Sequence, residues 1–413
     1  MTTRSTELLR VAHTRPGVTR ADAARLLGVG TGAATEIVAR LAQQSLLAEA
    51  PAAPSGNRGR PTTVLVPHPA GPLVLAVAIT HETWRIDVVE LGGKILAAAT
   101  GPHAGAEWAS VTAAVTAAVV SFQHTYGERL RAMGVSVPGT VSPALRLTAS
   151  NLAWNDVDLT ALWPGPVLAA GNNATSGAAR PGPILAATLA AIRPGLAGKD
   201  ATPAASRPSP VLAAGNDATL AATAESHRGA AVDATVHLHL RIEGGLGGAV
   251  VDHGRALLGA RGAGGEFGHM PFGDPAIACP CGAAGCWGTA VDGTALARLL
   301  GMPAPRDPVT YARRVIAAPD PESRAAVRAV AAALGRGMAG LVNALDADLV
   351  TLGGIGVDLL AAAPEEIDAA YRAGLMQVHR AAPPPVVPAA LGDDGPIAGA
   401  AEEAWSRLLP ELA

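Results

Sequence analysis

Apolar residues recur at helical spacing through the first 50 residues of the chain. Three short helical patterns lie at about 4–13, 20–27 and 31–44, with apolar positions three and four residues apart. Thr19 followed by Asp22 is typical of a capped helix start, and Gly28 marks the end of that helix. Two helices joined by a short glycine-containing turn predict a helix-turn-helix, whose second helix enters the major groove of DNA.

Two short strand patterns, at 46–49 and 62–66, follow these helices and predict a wing. The segment 54–61 between them is polar and rich in turn residues. Arginines flanked by glycine and proline can lie in a narrow minor groove or against phosphates, although a solvated linker is the alternative interpretation of this segment. The predicted DNA-contacting side chains are Thr31, Thr35, Arg40, Gln43, Arg58 and Arg60.

From about residue 72 strand patterns alternate with helical ones, which predicts an α/β body. The first part combines an antiparallel meander, an alanine-rich helix and a buried strand, at 73–79, 83–90, 94–99, 106–126 and 132–137. The second part combines a strand, several helices, a further buried strand and a final helix, at 235–240, 294–345, 349–354 and 395–409.

All three cysteines of the chain, Cys279, Cys281 and Cys286, lie within eight positions, and His269 precedes the first by ten residues. Three thiols and an imidazole form a complete tetrahedral set for zinc, which favours soft sulfur and nitrogen ligands. Four protein ligands leave no open position for a catalytic water, so the predicted zinc is structural. Three free core cysteines beside an unrelated histidine are the alternative.

Composition and charge narrow the classes of function. The chain is 49% hydrophobic and 16% charged, as is typical of a globular protein. No apolar run approaches the ~18 residues of a membrane span, and clustered cysteines favour a reducing, cytoplasmic location. Residues 1–60 contain eight Arg and four acidic residues, a net charge of +4. Because the whole chain has a net charge of −3, the remaining residues together carry −7. A basic head suggests an anionic partner.

The segment around the cysteines resembles the signature of the ROK family (repressors, open reading frames and kinases), in which a GE-x-GH block precedes C-x-C-G-x-x-G-C. The segments MGVSVPG (133–139) and SNLAW (150–154) also resemble motifs of that family. The first 66 residues, with Gly-Arg-Pro before the second wing strand, resemble the winged helix of its xylose-repressor and N-acetylglucosamine-repressor types. This resemblance implies an actin-like, two-lobed sugar-kinase body of ribonuclease H-like fold.

The resemblance also implies where the domains lie. A winged helix-turn-helix domain would span residues 1–68 and a kinase-like sensor domain residues 69–413. The first lobe of the sensor would contain residues 69–164 and the C-terminal helix at 395–413, and the second lobe residues 210–394.

An internal repeat interrupts this arrangement. Residues 166–175 and 210–219 read PVLAAGNNAT and PVLAAGNDAT, which are identical at nine of ten positions. Because the family has this strand once, we interpret residues 165–209 as an insertion left by a tandem duplication. Its Pro, Ala and Gly offer little to pack, so we expect it to be dispensable for folding. The second copy alone has the acid, Asp217, and is the better functional candidate.

The family's residues imply a sugar site at matching positions of this chain, formed by Asn216, Asp217, Glu266 and His269, with Gly139 and Asn151 as further candidates. In ROK kinases the Asp of the Asn-Asp pair is the general base that deprotonates the sugar hydroxyl, so Asp217 would be a vestigial base. A helix cap at a strand-to-helix turn is the alternative role of the pair. The family's usual glutamate after the last cysteine is replaced by Gly288.

The phosphate-handling loops differ from those of the kinases. Where the kinases have D-x-G-G-T, this chain has Ala78-Ile79-Thr80-His81-Glu82, which lacks the acid and both glycines. The second loop, 243–249, keeps glycines but begins with an acid. We therefore expect no sugar kinase activity.

These patterns predict a ROK-type transcriptional regulator, of repressor type, that binds operator DNA and senses a sugar or sugar derivative. A homodimer or homotetramer would present paired heads to DNA. A sugar kinase with an appended DNA-binding head is one alternative. A regulator that responds to a non-sugar ligand or a protein partner is the other.

Overall fold

The computed structural model describes residues 3–52, 63–103, 107–149, 152–165, 168–169 and 209–412. Arg58, Arg60 and Asn151 lie outside these described residues, as does most of the segment interpreted as an insertion. Within the described residues an N-terminal head is followed by two lobes, each built around its own β-sheet.

The head contains three helices and a two-stranded antiparallel sheet, as the sequence predicts: α1 (Arg4–Thr14), α2 (Arg20–Leu27), α3 (Thr31–Gln43), β1 (Leu47–Pro51) and β2 (Thr63–Pro67). Thr19 caps α2 by accepting a hydrogen bond from the N–H of Asp22. Gly28 ends α2 in the left-handed conformation, with φ of 63°, which costs least at glycine. The packing between the helices thus forms the predicted helix-turn-helix.

The first lobe is built on a six-stranded sheet in the order β10-β11-β6-β3-β4-β5. Its elements are β3 (Leu73–Ile79), β4 (Thr83–Glu90), β5 (Ile95–Pro102), α4 (Trp108–Tyr126), β6 (Leu130–Val137), β10 (Leu168–Ala169), β11 (Val211–Asn216) and α5 (Asp217–Arg228). A small side sheet contains β7 (Thr140–Val141), β8 (Arg146–Ala149) and β9 (Trp154–Asp158).

The position of β11 corrects the expected boundary between the lobes. This strand pairs in parallel with β6, with Val211 opposite Ala132, and so belongs to the first sheet. The second lobe therefore begins after β11 and α5 and not at residue 210, because the open edge of β6 provides the hydrogen-bond partners for β11. Residues 168–169, from the first copy of the repeat, pair with β11 in turn and form the edge of the sheet.

The second lobe has a five-stranded sheet in the order β14-β13-β12-β15-β16. Its strands are β12 (Val236–Ile242), β13 (Leu246–Asp252), β14 (Arg255–Ala256), β15 (Leu349–Gly354) and β16 (Val386–Pro388). Its helices are α6 (Gly293–Leu299), α7 (Pro308–Ala317), α8 (Pro321–Leu345), α9 (Ile355–Ala362), α10 (Pro364–Gly374) and α11 (Gln377–Ala381). Among the described residues, α8 is long and apolar enough to cross a membrane, but 67% of its most apolar stretch is buried in this core.

The last helix, α12 (Gly395–Leu412), returns to the first lobe and packs on β3 and β6, as expected. It also lies against α5 and against α1 of the head. Trp405 on α12 is fully buried and belongs to the same apolar cluster as Leu8 and Leu9 of α1. The C-terminal helix thus joins the head to the body through a shared hydrophobic core.

Candidate functional site

A cleft of about 510 Å³ lies between the two lobes, where the loop after β6, the start of α5, the β12–β13 turn and the cysteine segment meet. Its lining includes five of the six predicted sugar-site residues: Gly139, Asn216, Asp217, Glu266 and His269. The sequence places these residues up to 130 positions apart, and the fold brings them around one opening.

Asn216 is the cap residue of α5 and ties that helix to the loop after β6. Its Oδ1 accepts hydrogen bonds from the N–H groups of Ala218 and Thr219, at 3.0 and 3.2 Å. Its Nδ2 donates to the carbonyl of Gly139 at 3.2 Å. The side chain therefore has the helix-capping role that was the alternative, and it also fixes one wall of the cleft.

Asp217 follows at the first position of α5, half-buried beside the cleft. Burial and the nearby charge of Glu243 raise the pKa of Asp217 to about 6, although Arg241 acts in the opposite direction. A carboxylate with such a pKa can exchange a proton near neutral pH or hold sugar hydroxyls. Its geometry is thus compatible with either a base or a binding residue.

Glu266 and His269 bring the cysteine segment to the same cleft. One carboxylate oxygen of Glu266 accepts a hydrogen bond from the Thr140 hydroxyl at 3.1 Å, which connects the two lobes. The other oxygen lies 3.8 Å from Nε2 of His269, while Nδ1 of that ring lies 3.7 Å from Sγ of Cys279. One imidazole therefore faces Glu266 with one nitrogen and the thiols with the other.

His269, Cys279, Cys281 and Cys286 form a compact group, with all four candidate ligand atoms within 4.8 Å of one another. Tetrahedral zinc with Zn–S bonds of about 2.3 Å requires sulfur atoms about 3.8 Å apart. The sulfur atoms of Cys281 and Cys286 are separated by 3.6 Å, which fits that geometry. The residues present therefore fit a tetrahedral metal.

Without a cation, the buried thiol of Cys286 resists ionisation. Burial and the neighbouring thiols raise the pKa of Cys286 to about 12, so a thiolate is disfavoured there on its own. A divalent cation would stabilise the thiolate and reverse this shift. The glycine turns at Gly282 and Gly285, with φ of 94° and 73°, let the short loop fold back and present all three sulfur atoms together.

The first hairpin of the body, between β3 and β4, is closed by its own side chains. The Thr80 hydroxyl accepts from the N–H groups of Glu82 and Thr83, at 3.4 and 3.1 Å. His81 extends across the cleft toward the β12–β13 turn, and a Cβ placed on Gly244 would lie 4.0 Å from its Cε1. Burial lowers the pKa of His81, which favours the neutral ring.

Arg241 is a site residue that the sequence analysis missed. Its side chain is only 7% exposed, forms an ion pair with Glu243 and lies 3.8 Å from Asp393. It lines the cleft, and its charge lowers the pKa of Asp217. The sequence feature that could have identified it is a row of three polar residues, His237, His239 and Arg241, on one face of an otherwise apolar strand.

The predicted DNA-contacting residues of α3 lie on its exposed face, away from buried Ile37 and Leu41. Thr31, Thr35 and Gln43 are exposed, although the Thr35 hydroxyl donates to the carbonyl of Thr31 at 2.8 Å. Arg40 is exposed but donates to the Ser5 hydroxyl of α1 at 2.6 Å, so it is held to the head itself.

Comparison with known proteins places these features in a family. Residues 207–406 match the ROK family. A glucokinase of Halalkalibacterium halodurans is 32% identical over 155 residues, which cover 34% of this chain and 47% of that protein. The chain thus spans about half the length of the curated relatives it matches.

The fold extends further than the sequence similarity. A solved ROK family transcriptional regulator, a homologue of the Escherichia coli MLC protein, aligns with a TM-score of 0.70 at 21% identity, covering 99% of this chain and 96% of that one. The ROK hexokinase of Thermus thermophilus aligns with a TM-score of 0.57 at 26% identity, covering 81% of this chain and 99% of that one. Residues 207–406 of this chain thus match the ROK family, and the described residues form a two-lobed body of the kind seen in solved ROK proteins, with an N-terminal winged helix-turn-helix head.

Proposed function

We propose that this protein is a transcriptional regulator that binds operator DNA through its head and senses a sugar or sugar derivative in the cleft between its lobes. The observation that carries the proposal is the pairing of a helix-turn-helix head with a first hairpin closed by Thr80 and His81. A helix-turn-helix supplies a means of reading DNA, and a hairpin whose N–H groups are already bonded to the Thr80 hydroxyl would hold the phosphates of ATP poorly. The similar fold of a solved ROK regulator supports the same conclusion.

The sugar would lie against the polar residues that converge on the cleft. Asp217 and Glu266 offer carboxylate oxygens to sugar hydroxyls, and Nε2 of His269 lies beside Glu266. A few convergent polar groups in a concave site are typical of small-molecule recognition. Absent the family's usual glutamate, Gly288 leaves one wall of the cleft as bare backbone.

The metal would be a structural zinc held by His269, Cys279, Cys281 and Cys286. Zinc supplies no reaction step in this role: it fixes the loop that carries Glu266 and orients the ring of His269. Three cysteines that remain reduced for metal binding are consistent with the cytoplasm, where DNA is also found.

The regulatory partner would be a second or further copy of the same chain, in a homodimer or homotetramer. Two heads related by symmetry read two half-sites, and closure of the lobes on a sugar would change the spacing of the heads. Because the sugar prefers one closure state, DNA affinity changes by the same coupling free energy.

The decisive experiment measures DNA and sugar binding on the full chain. Fluorescence anisotropy with duplex fragments from upstream of the protein's own gene, at several salt concentrations, should show binding that weakens with salt. Arg58→Ala/Arg60→Ala should reduce both affinity and salt slope. Arg324→Ala/Arg336→Ala, which removes two exposed charges from the body, is the matched control and should leave both unchanged. If the two double variants changed DNA affinity and salt slope equally, the wing would not be part of the DNA interface.

A sugar kinase remains the second candidate, because the curated relatives are named as kinases. A thermal-shift panel with D-glucose, N-acetyl-D-glucosamine, D-xylose and their phosphates tests sensing independently of catalysis. A shift with a sugar, but no shift with ATP and magnesium, supports the regulator. A regulator of non-sugar ligands would show no shift with any member of the panel while it still bound DNA.

A further inference from the structure

Helix α5 has one end in the cleft and the other at the junction with the head. It begins with Asp217, capped by Asn216, and ends with His227 and Arg228. Twelve residues at about 1.5 Å each span about 18 Å. The helix therefore connects the predicted sugar site to the base of the DNA-binding head without an intervening loop.

The head end of α5 converges on Glu402, a carboxylate of α12 whose side chain is 3% exposed. Nδ1 of His227 lies 3.2 Å from this carboxylate, and Nε of Arg228 donates to it. From the head, Nε2 of His13, the penultimate residue of α1, lies 3.0 Å from the same group. Three side chains from two parts of the protein thus share one buried acid.

Arg228 also fixes the turn of the body that supports α1. Its guanidinium donates to the carbonyl of Gly92 at 2.8 Å and to the carbonyl of His13 at 3.3 Å. The N–H of Gly92 in turn donates to Nδ1 of His13 at 3.0 Å. The last turn of α1 is therefore held by a closed ring of hydrogen bonds, which specifies an orientation as well as a contact.

A buried carboxylate is tolerated only while its partners are in place, since an unpaired charge in the interior costs several kcal/mol. If α5 and the α12 helix packed on it shifted relative to α1, Glu402 and Arg228 would lose their hydrogen bonds to His13. The set of partners therefore makes the position of the head depend on the position of α5.

The packing along α5 leaves it little freedom to move alone. The carbonyl of Leu220 occupies the space where a side chain on Gly399 of α12 would lie. At the cleft end, a Cβ on Gly247 would lie 3.0 Å from Cβ of Ala218. Close contact with Gly399 and Gly247 means that a displacement at the cleft moves the helix as a body.

We infer that α5 transmits the state of the cleft to the head, and that Arg228 and Glu402 are positioning residues for α1. This inference rests on the proposed function, because it concerns how the same sugar site controls DNA binding. Sugar contact at Asp217 shifts the start of α5, and the shift alters the hydrogen bonds that hold His13. The physical requirement is a two-state element that both sites bias, and α5 with the Glu402 cluster is that element.

The test perturbs the cleft end and measures the head by amide hydrogen exchange, without needing a ligand. Asn216→Ala removes the cap of α5 at the cleft. Asp307→Ala is the matched control, because Asp307 likewise accepts from two backbone N–H groups as the cap of α7, far from the head. We expect Asn216→Ala to accelerate exchange in residues 4–14 about tenfold and Asp307→Ala to leave those amides unchanged.

General destabilisation is distinguished by the pattern of exchange. If Asn216→Ala only destabilised the whole protein, amide exchange would accelerate in α10 as much as in α1, and that result would overturn the inference. So would unchanged exchange in α1. If Asn216→Ala fails to fold, Thr223→Gly and Thr223→Ala provide a second pair of variants at a partly buried position of α5. Glycine destabilises a helix more than alanine does, so amide exchange in α1 should accelerate only in the glycine variant.

The reciprocal experiment starts from the head end. Arg228→Met keeps the apolar part of the side chain but removes the guanidinium, and should accelerate exchange of the Ala218 and Thr219 amides as well as those of α1. Acceleration confined to α1 would contradict coupling along the helix. A wild-type protein that binds neither the sugar panel nor DNA would overturn the proposed function, yet the exchange results would still decide whether α5 couples the two regions.

Discussion

His81 of the first hairpin faces Gly244 of the β12–β13 turn across the cleft, with its Cε1 4.0 Å from the position of a Gly244 Cβ. In a sugar kinase the two corresponding loops must leave room for the phosphates of ATP between them. Here an imidazole enters that space from one side, and Glu243 begins the turn on the other side. An imidazole in this space is consistent with the proposal that the cleft holds a polar ligand but no nucleotide phosphates.

The first prediction is that the protein has no useful sugar kinase activity. Phosphoryl transfer requires phosphates held by backbone N–H groups and neutralised by metal, and Thr80 already accepts the N–H groups of the hairpin. A loss of several powers of ten is expected, since each ~1.4 kcal/mol of lost transition-state stabilisation costs tenfold. A coupled assay with ATP, magnesium and a panel of hexoses measures it. Sugar-dependent ADP release that disappears in Asp217→Asn would instead establish the kinase.

The second prediction concerns the metal. Protein purified without chelators should contain one zinc per chain, measured by plasma mass spectrometry, and Cys281→Ser should lose most of it and melt at a lower temperature. Asp274→Asn is the control, because the carboxylate of this exposed residue of the same loop accepts from the N–H of Ala276. Equal zinc content in the two variants, or none in the wild type, would exclude the cluster as a zinc site.

The third prediction uses the raised pKa of Asp217. In the folded state this pKa is about 6, against an ordinary value of 3.8, so the fold disfavours the ionised carboxylate. The wild type is therefore fully stabilised only below about pH 3.8 and loses this stability as the pH rises toward 6. Asp217→Asn does not titrate, so it should gain roughly 1–2 kcal/mol over the wild type at pH 8 but little at pH 4, after allowance for partial exposure.

Melting temperatures of both proteins across pH 4–8 test this expectation. Asp217→Asn should at the same time weaken sugar binding, because a carboxylate acceptor is lost. A difference in melting temperature that did not depend on pH would mean that Asp217 is not strained by its surroundings. Glu266→Gln is a useful comparison, as it alters an acid of the same cleft that forms a hydrogen bond to Thr140.

The fourth prediction concerns the junction between head and body. Glu402→Gln should destabilise the protein by about 3 kcal/mol, because Arg228 and two histidines lose a buried anionic partner. Glu403→Gln is the matched control: its ion pair with Arg407 joins two half-buried residues one turn apart on α12 and should be worth less than about 1 kcal/mol. Chemical denaturation of the two variants compares them directly.

The difference between wild type and Glu402→Gln should also depend on pH. Burial opposes ionisation of Glu402, but hydrogen bonds from His13 and His227 and the charge of Arg228 hold its pKa well below the ordinary value. A lowered pKa stabilises the fold above the unfolded value of about 4.5, and this contribution disappears as the pH falls toward the folded value. A constant difference from pH 7 down to pH 3 would contradict this account of the cluster.

Several features could be predicted because their determinants are close together in the sequence. The helix-turn-helix depends on apolar spacing and on Gly28, whose left-handed conformation ends α2. The candidate metal ligands lie between His269 and Cys286, so a short loop brings them together. The strands of the first meander follow from runs of apolar residues, and their observed bounds differ from the expected ones by a few residues.

Other features depend on contacts that no local pattern contains. Glu402 and His13 are 389 positions apart, and Glu402 and Arg228 are 174 apart. In the sequence Arg241 is one polar position of a strand, and only the fold places it beside Glu243 and Asp217. The sheet that β11 joins likewise depends on which strand has a free edge. Because that strand is β6, the boundary between the lobes lies after residue 210.

The sequence by itself determined the local elements, the grouping of His269 with the three cysteines and the absence of the kinase-type glycines from the first hairpin. Hydrophobic periodicity, turn residues and short motif spacings each involve residues that are a few positions apart, so they can be recognised in the sequence alone. Only the tertiary structure decided that α5 spans from Asp217 to Arg228 between the cleft and the head. Its significance comes from Glu402 and His13, which reach it only after burial of the apolar faces of α1 and α12 has brought distant parts of the chain together.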